Sequence, residues 1–325
     1  MKKCLKAFLV VCLLLVVGCS KQQDSKKNET VVSDVVNEEW SSDVDGGKLF
    51  GTLTLPQNGS DTVILLVAGS GPVPKDGTVN EFYQLANALA DKGIATLRYD
   101  KRGMFDSSNI HTTNETIRVD DFVQDIEVLL KDLKEDGRFK RVFLLGHSQG
   151  ALYGAMAIEH ESVDGFISLC GAGRTMDVLL KEQLASNPYN PKEIVDEANT
   201  IIDHLKNNEK VTEMNPQLQS LFDVSLQDYL IQWISIDPVN VYTKINEVPT
   251  LIIQGDNDTQ VSVEDAKLLH EAIPNSKLVI VEHMSHVLKD AKDKSDYLEH
   301  MKVYTAVNDP INRKVVDEIQ QFVSE

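Results

Sequence analysis

Cysteine is almost absent from the working part of this chain. Of the four cysteines, Cys4, Cys12 and Cys19 fall near the N-terminus, and only Cys170 lies deeper in the sequence. One cysteine cannot close an internal disulfide, so even an exported chain of this kind must take its stability from an ordinary core. Basic clusters are missing as well. Lys and Arg total 32 against 50 Asp and Glu, giving a formal net charge of −18. Such a surface repels nucleic acid and anionic lipid headgroups, and short KK pairs and "DKRG" do not offset it, so no nucleic-acid partner is expected. No spacing of His, Cys and carboxylates suggests a metal, and no G-x-G-x-x-G opens a helix after a strand. Neither metal nor cofactor is expected. Internal repeats are absent too.

What is there begins with a leader. "MKKCLKAFLVVCLLLVVGCS" carries Lys2, Lys3 and Lys6, then an apolar run from Ala7 to Val17 too short for a comfortable membrane span, then Gly18 before Cys19. The ending "VVGC" looks like a bacterial lipobox, in which cleavage leaves Cys19 at the new N-terminus carrying lipid. The alternative is a plain secretory signal or a short anchor. One acyl chain holds a protein only marginally, but the modification that a lipobox implies supplies several. The expected division is 1–18 signal peptide, 19–38 flexible tether and 39–325 globular domain, anchored to the cell membrane on its extracytoplasmic side. Loss of the three leader lysines would take the net charge to −21. Residues 20–38 are mostly polar with no aromatic, as a tether should be. The remainder, about 285 residues, is long enough for one large domain.

From Trp40 the pattern becomes regular. "EWSSDV" and "KLFGTLTL" flank "DGG", a β-hairpin signal. Apolar strands then alternate with helical patterns: "TVILLVAG", "VNEFYQLANALADKG", "IATLRYD", "TIRVDDFVQDIEVLLKDLKEDG", "RVFLLG", "QGALYGAMAIEH" and "VDGFISLCG". The rhythm breaks over about 174–245, which has several helical patterns and no convincing strand. It resumes with "VPTLIIQG", "SVEDAKLLHEAI", "SKLVIVEH" and a last helix, "PINRKVVDEIQQFV". An antiparallel hairpin feeding such alternation predicts an α/β fold, with a mostly parallel, doubly wound, eight-stranded sheet and helices on both faces. The 174–245 segment is then a helical cap at the sheet's carboxyl edge, where such folds place their ligands.

Ser148 lies in G-x-S-x-G (Gly146 to Gly150) between a buried strand and a helix, where a nucleophile needs glycine neighbours to stand on a sharp turn. A serine needs a base, and the base an acid to fix its tautomer. "VEHMSHVLKD" offers His283 and His286; His286 is preferred, because it falls in the loop while His283 is expected at the strand's end. His147, next to the serine, is set aside because its ring is not expected to reach around. "LIIQGDNDTQV" offers Asp256 and Asp258 after a buried strand. Asp258 is preferred, with Asp256 a turn residue in that case. The backbone N–H of Gln149 and one from "AGSGPVPKDG", with Ser70 the candidate, would form the oxyanion site. Asp100 and Arg102 of "YDKRG" are expected to buttress that loop, and Cys170 is expected to be a buried, inert thiol. Trp233 and Tyr229 are candidate walls of a substrate pocket, beside Leu230 and Phe222, with packing of the cap against the sheet as the alternative for each.

Over roughly residues 40–325 the chain resembles the α/β-hydrolase superfamily. Within it, the stretches "LLVAGSGPVPKDG", "RYDKRG", "LLGHSQGA", "WISIDPV", "LIIQGDNDTQV" and "MSHVLK" resemble bacterial serine hydrolases related to dienelactone hydrolases and prolyl-oligopeptidase-like esterases. The resemblance implies a triad of Ser148, Asp258 and His286 with oxyanion donors at Ser70 and Gln149, no cofactor, and a small or medium carboxylic ester as substrate. It departs from the pattern at Ala68-Gly69, where His-Gly is more familiar, at Met104 to Asp106, and at His283, where a glycine is common. The 174–245 segment carries 11 acids against 6 bases, which suits no polyanionic substrate. Peptidase and thioesterase activities on the same fold are alternatives, as is a non-catalytic ligand-binding lipoprotein.

Overall fold

The computed structural model describes residues 35–292 and 295–325; the leader, Cys19 and most of the tether lie outside them. Eight strands form one sheet in the order β1-β2-β4-β3-β5-β6-β7-β8. They are β1 (Val35–Val44), β2 (Gly47–Pro56), β3 (Thr62–Val67), β4 (Ala95–Tyr99), β5 (Arg141–His147), β6 (Gly165–Leu169), β7 (Thr250–Gly255) and β8 (Lys277–Val281). Only the pairings β1–β2 and β2–β4 are antiparallel; from β4 to β8 the sheet is parallel. This is the mostly parallel, doubly wound α/β architecture that the alternating sequence pattern calls for.

The sheet starts earlier than the sequence suggests. Residues 35–38, assigned to the tether on their polarity, are the first part of β1, in register from Val35 opposite Pro56 to Val44 opposite Gly47. Val35 and Val36 are too short an apolar pair, in polar surroundings, to mark a strand, because β1 is an edge strand held by its backbone ladder and by polar contacts such as Thr54 Oγ1 to Asn37 Oδ1 at 2.7 Å.

Inner strands read as continuous apolar runs because both faces are covered. Side chains alternate between the faces: Val63, Leu65 and Val67 of β3 join one cluster, while Ile64 and Leu66 join the other. Helices α1 (Glu81–Ala90) and the last one, Arg313–Ser324, cover the second face; α2 (Val119–Glu135) and α3 (Gln149–Ile158) cover the first. Helix α2 shows why these segments are helical. Val119, Phe122, Val123, Ile126, Leu129, Leu130 and Leu133 form one buried stripe, and the Asp121 carboxylate accepts the Arg118 N–H at 2.7 Å, capping the start.

Between β6 and β7 the chain forms α4 (Met176–Ser186), α5 (Lys192–Lys206), α6 (Gln219–Phe222), α7 (Gln227–Ser235) and α8 (Pro238–Lys244). Their apolar residues, among them Leu180, Ile201, Phe222 and Tyr229, belong to the same cluster as α2 and α3. The helical insertion therefore shares its core with the sheet. After it come α9 (Val263–Ala272), α10 (Tyr297–Met301) and α11 (Arg313–Ser324).

The loop after β4 is fastened to α2 by a buried ion pair. Arg102 donates through Nε to Asp125 Oδ2 at 2.8 Å and through Nη2 to Oδ1 at 2.6 Å, and both residues are buried. Removing one partner of such a pair strands the other charge in a poorly solvated site. Arg102→Met should therefore lower stability by about 3–5 kcal/mol, read from the urea midpoint, and Arg102→Met/Asp125→Leu should recover much of that loss.

Candidate active site

The sheet's carboxyl edge gathers the candidate residues. Ser70 follows β3, Ser148 follows β5, Asp258 follows β7 and His286 follows β8, so parallel strands of one sheet deliver them to one rim. Ser148 sits at the junction of β5 and α3 with φ 54° and ψ −122°, a left-handed, strained conformation for a residue with a side chain. Its neighbours make the turn possible. A Cβ on Gly146 would run into the backbone of Gly150 and Ala151, and one on Gly150 into the Val67 carbonyl of β3. The two glycines thus serve close backbone approach, and the Ser148 N–H is tied to the Leu169 carbonyl at 2.9 Å.

Asp258 and His286 meet directly. His286 Nδ1 and Asp258 Oδ2 are 2.7 Å apart, and both residues are buried. The carboxylate is saturated with donors: the N–H groups of Gln260 at 2.7 Å and Val261 at 3.0 Å bond Oδ1, while Gln254 Nε2 bonds Oδ2 at 3.0 Å. Burial alone would raise its pKa. The charge and hydrogen bond of His286, with the two backbone N–H groups, outweigh that and hold it below the ordinary carboxylate range. An ionised Asp258 fixes the proton of the His286 imidazole on Nδ1, leaving Nε2 as the basic nitrogen. The alternatives separate cleanly. Asp256 is exposed and caps the turn, its Oδ1 accepting the His283 N–H at 2.7 Å. His283 is not at the end of β8 as expected. It lies beyond Val281 in a left-handed turn, φ 61°, with its side chain in solvent.

His147 was passed over on sequence and turns out to support the site. Its Nε2 lies 2.8 Å from the His286 carbonyl oxygen, and the two rings are 4.7 Å apart. The ring thus reaches under the His286 loop, not around toward the serine hydroxyl. Burial, then the neighbouring His286, push its pKa down to about 3. The ring is neutral, and since Nε2 faces a carbonyl, that nitrogen carries the proton and donates it. Gln254 is the other supporting residue missed. Both are buried polar side chains on apolar strands, His147 bonding a loop 139 residues away and Gln254 the turn that follows its own strand, and a strand pattern gives no sign of either.

Ser70, Ser148 and Gln149 border a cavity of about 590 Å³, its open mouth included. Gln149 opens α3, so its N–H has no intrahelical acceptor and is available to a ligand. The wall is largely apolar, with Leu152, Met176, Leu179, Trp233, Ile236 and Val261, and polar at Arg174, Gln183 and Gln260. Trp233 is therefore a pocket wall. Tyr229 is not: it is buried on the inner side of α7, where its hydroxyl meets Gln149 Nε2 at 2.9 Å and the Tyr153 hydroxyl at 2.7 Å. Leu230 and Phe222 are likewise core residues. Around the rim, Asp100 accepts the Lys75 N–H at 2.8 Å and Lys75 Nζ at 3.2 Å, buttressing the loop that follows Ser70.

His147, Cys170 and His286 bring three potential metal ligands within 4.8 Å of one another. Three of the groups they offer are taken up in hydrogen bonds. His147 Nε2 serves the His286 carbonyl, His286 Nδ1 serves Asp258, and the Cys170 thiol hydrogen-bonds Asp258. Burial, then the Asp258 charge, push the Cys170 pKa well up, so the thiol stays protonated and unreactive. The cluster fits a hydrogen-bonded support for the acid and base better than a metal centre. His147→Ala, which frees the His286 backbone, should lower turnover by about 10²-fold with little change in melting temperature, as a small misplacement of the base would.

Comparison with known proteins gives the family and the fold. Residues 75–292, which include Ser148, Asp258 and His286, match the family described as serine aminopeptidase, S33. The chain is similar to esterase EstD of Thermotoga maritima, 26% identical over 321 residues spanning 93% of this chain and 72% of EstD. Among solved structures it is similar to an esterase of Pyrococcus furiosus, with TM-score 0.61 and 15% identity over 93% of this chain and 96% of that one. It is also similar to Est1E of Butyrivibrio proteoclasticus, with TM-score 0.57 and 19% identity over 88% and 99% of the two chains. The chain is a serine hydrolase of the α/β-hydrolase fold and belongs to the serine aminopeptidase, S33, family.

Proposed function

We propose that this protein hydrolyses a small or medium carboxylic ester through an acyl-enzyme on Ser148. One observation carries the reading: the buried Asp258–His286 pair and the strained Ser148 lie on the same carboxyl edge of the sheet, and Ser148 borders a pocket that is largely apolar and, among the described residues, lined by no carboxylate. His286 takes the Ser148 proton as the hydroxyl attacks the acyl carbonyl. The N–H groups of Gln149 and Ser70 receive the oxyanion. His286 then protonates the leaving alcohol, activates a water against the acyl-enzyme, and returns the proton to Ser148. Asp258 orients and stabilises the imidazolium throughout.

The family description names an aminopeptidase, and the pocket chemistry argues against that substrate here. A peptide's free N-terminal ammonium needs an anionic partner. The charged residue on the wall is instead Arg174, whose guanidinium is already held by Asp265, bidentate at 2.8 and 2.9 Å, and by Glu182. EstD and the two structural relatives bear esterase names, which favours the same choice. An apolar acyl or aryl group against Trp233, Leu179 and Ile236 suits the wall.

Purified protein should cleave p-nitrophenyl esters best at short or medium acyl lengths and leave amino-acid p-nitroanilides untouched. Ser148→Ala should cost a factor on the order of 10⁶ in kcat, and Asp258→Asn about 10⁴. Preference for the anilides, or activity that survives in Ser148→Ala, would sink the ester reading. The same proposal extends to location, resting on the leader alone: lipid on Cys19 would hold the domain at the extracytoplasmic face of the cell membrane. Cys19→Ala should then move the protein from the membrane fraction to the soluble one.

A further inference from the structure

Lys101 is a buried cation that the mechanism above does not use. It follows β4 in "YDKRG" and is 6% exposed. Among the described residues no carboxylate pairs with it. Its ammonium instead donates to two backbone carbonyls, those of Gly69 and Gly71, the latter at 2.7 Å. Burying an ammonium without a counter-charge is expensive, and burial lowers its pKa to about 7. A methionine of similar length would fill the space without that cost, so the charge or its hydrogen bonds must matter to something.

The two carbonyls identify what that is. They flank Ser70, whose N–H is assigned above to the oxyanion. The carbonyl of Gly69 and the N–H of Ser70 belong to one peptide unit. That unit is planar and trans, so the two groups point in opposite directions. An ammonium that fixes the carbonyl on one side fixes the direction of the N–H on the other. The second bond, to the Gly71 carbonyl, holds the Gly71–Pro72 peptide unit, so the Ser70–Gly71 unit lies between two anchored ones. A donor on a carbonyl also polarises its amide and strengthens the N–H at the far end, most strongly when the donor is the protonated amine. Gly69 itself packs close to the elbow: a Cβ there would lie 3.1 Å from Ser148 Cβ, so the held peptide borders the reacting serine.

We propose that Lys101 is a positioning residue for the oxyanion site, gripping the Gly69 and Gly71 carbonyls so that the Ser70 N–H is aimed and polarised toward the developing negative charge. The inference rests on the Ser148 esterase reading and on Ser70 as donor. Arg102, its neighbour, is spent on Asp125, and Asp100 on Lys75, so neither can replace it.

The test compares the full-length wild type with Lys101→Met, Lys101→Gln and Ser148→Ala on a p-nitrophenyl ester. It adds inhibition by an aryl trifluoromethyl ketone, which forms a tetrahedral adduct on the serine, and by the product acid, which does not. Lys101→Met should lose about 10²-fold in kcat, the scale of one oxyanion donor, with KM and product inhibition within about twofold, as for a donor acting mainly in the transition state. Ketone affinity should fall by the same factor as kcat. Lys101→Gln, which keeps a neutral donor, should fall between the two. Unchanged kcat and ketone affinity in Lys101→Met would overturn the inference. So would equal weakening of ketone and product acid, or failure of both variants to fold, since either makes Lys101 a strut for the loop. Activity surviving in Ser148→Ala would instead defeat the esterase reading, separately from the role of Lys101.

Discussion

The close approach of three backbones beneath Ser148 is the constraint on which the site depends. The turn from β5 into α3 lies against the end of β3 so tightly that Gly146 and Gly150 leave no room for a side-chain carbon, and Gly69 leaves little. This crowding forces Ser148 into its left-handed conformation. The same contact brings the Ser70 and Gln149 positions to the edge of one cavity. A looser elbow would relax the strain and separate the nucleophile from both of those positions. Strain of this sort persists only where the surroundings over-determine it. Here they do so with two covered sheet faces and a tie from the Ser148 N–H to β6.

The helical insertion is best understood as part of that same packing. It contributes Met176, Leu179, Trp233 and Ile236 to the pocket wall, yet its apolar residues run without a break into the cluster of α2 and α3. Tyr229 makes the coupling specific. Its hydroxyl joins the side chain of Gln149 to Tyr153, linking α7 to both ends of α3's first turn. At the other end, Asp265 caps α9 through Ser262 and grips Arg174 at the start of the insertion. A segment fixed at both ends and sharing a core shapes the pocket as a wall, so the width of the pocket is set by side-chain volume at positions such as Trp233 and Leu179.

What could be read from sequence, and what could not, follows from the range of the interactions. Ser148, Asp258 and His286 each carry a local signature: a particular residue type just past a buried strand, with turn residues around it. The parallel order of strands then delivers all three to the sheet's carboxyl edge, where Asp258 and His286 meet. The first residues of β1 were hidden because an edge strand is held by its backbone, which leaves little trace in side-chain polarity. His147 was discarded on an argument about its immediate neighbour, whereas its partner is 139 residues away along the chain. Tyr229 illustrates the opposite limit. An aromatic at helical spacing does not say whether it faces the pocket or the core, and only the packing of α7 on α3 puts it in the core.

The two ends of the site are held by opposite electrostatic devices. Asp258 is buried with four donors on its two oxygens, so its charge is well compensated and its geometry is fixed by several small contributions. Losing any one of them leaves the others to hold the acid. Lys101 is buried with acceptors that carry only partial charge, so its cation remains under-compensated and its effect is concentrated in two bonds. The acid must be ionised throughout the cycle to serve an imidazole that gains and loses a proton, and redundancy suits a constant task. The oxyanion side must respond to a charge that exists only in transit. A cation whose compensation is incomplete in the resting site can meet that charge through a polarised peptide without rearranging. Preorganisation of this kind has its cost in folding, where the ammonium is desolvated, and its return in the tetrahedral state.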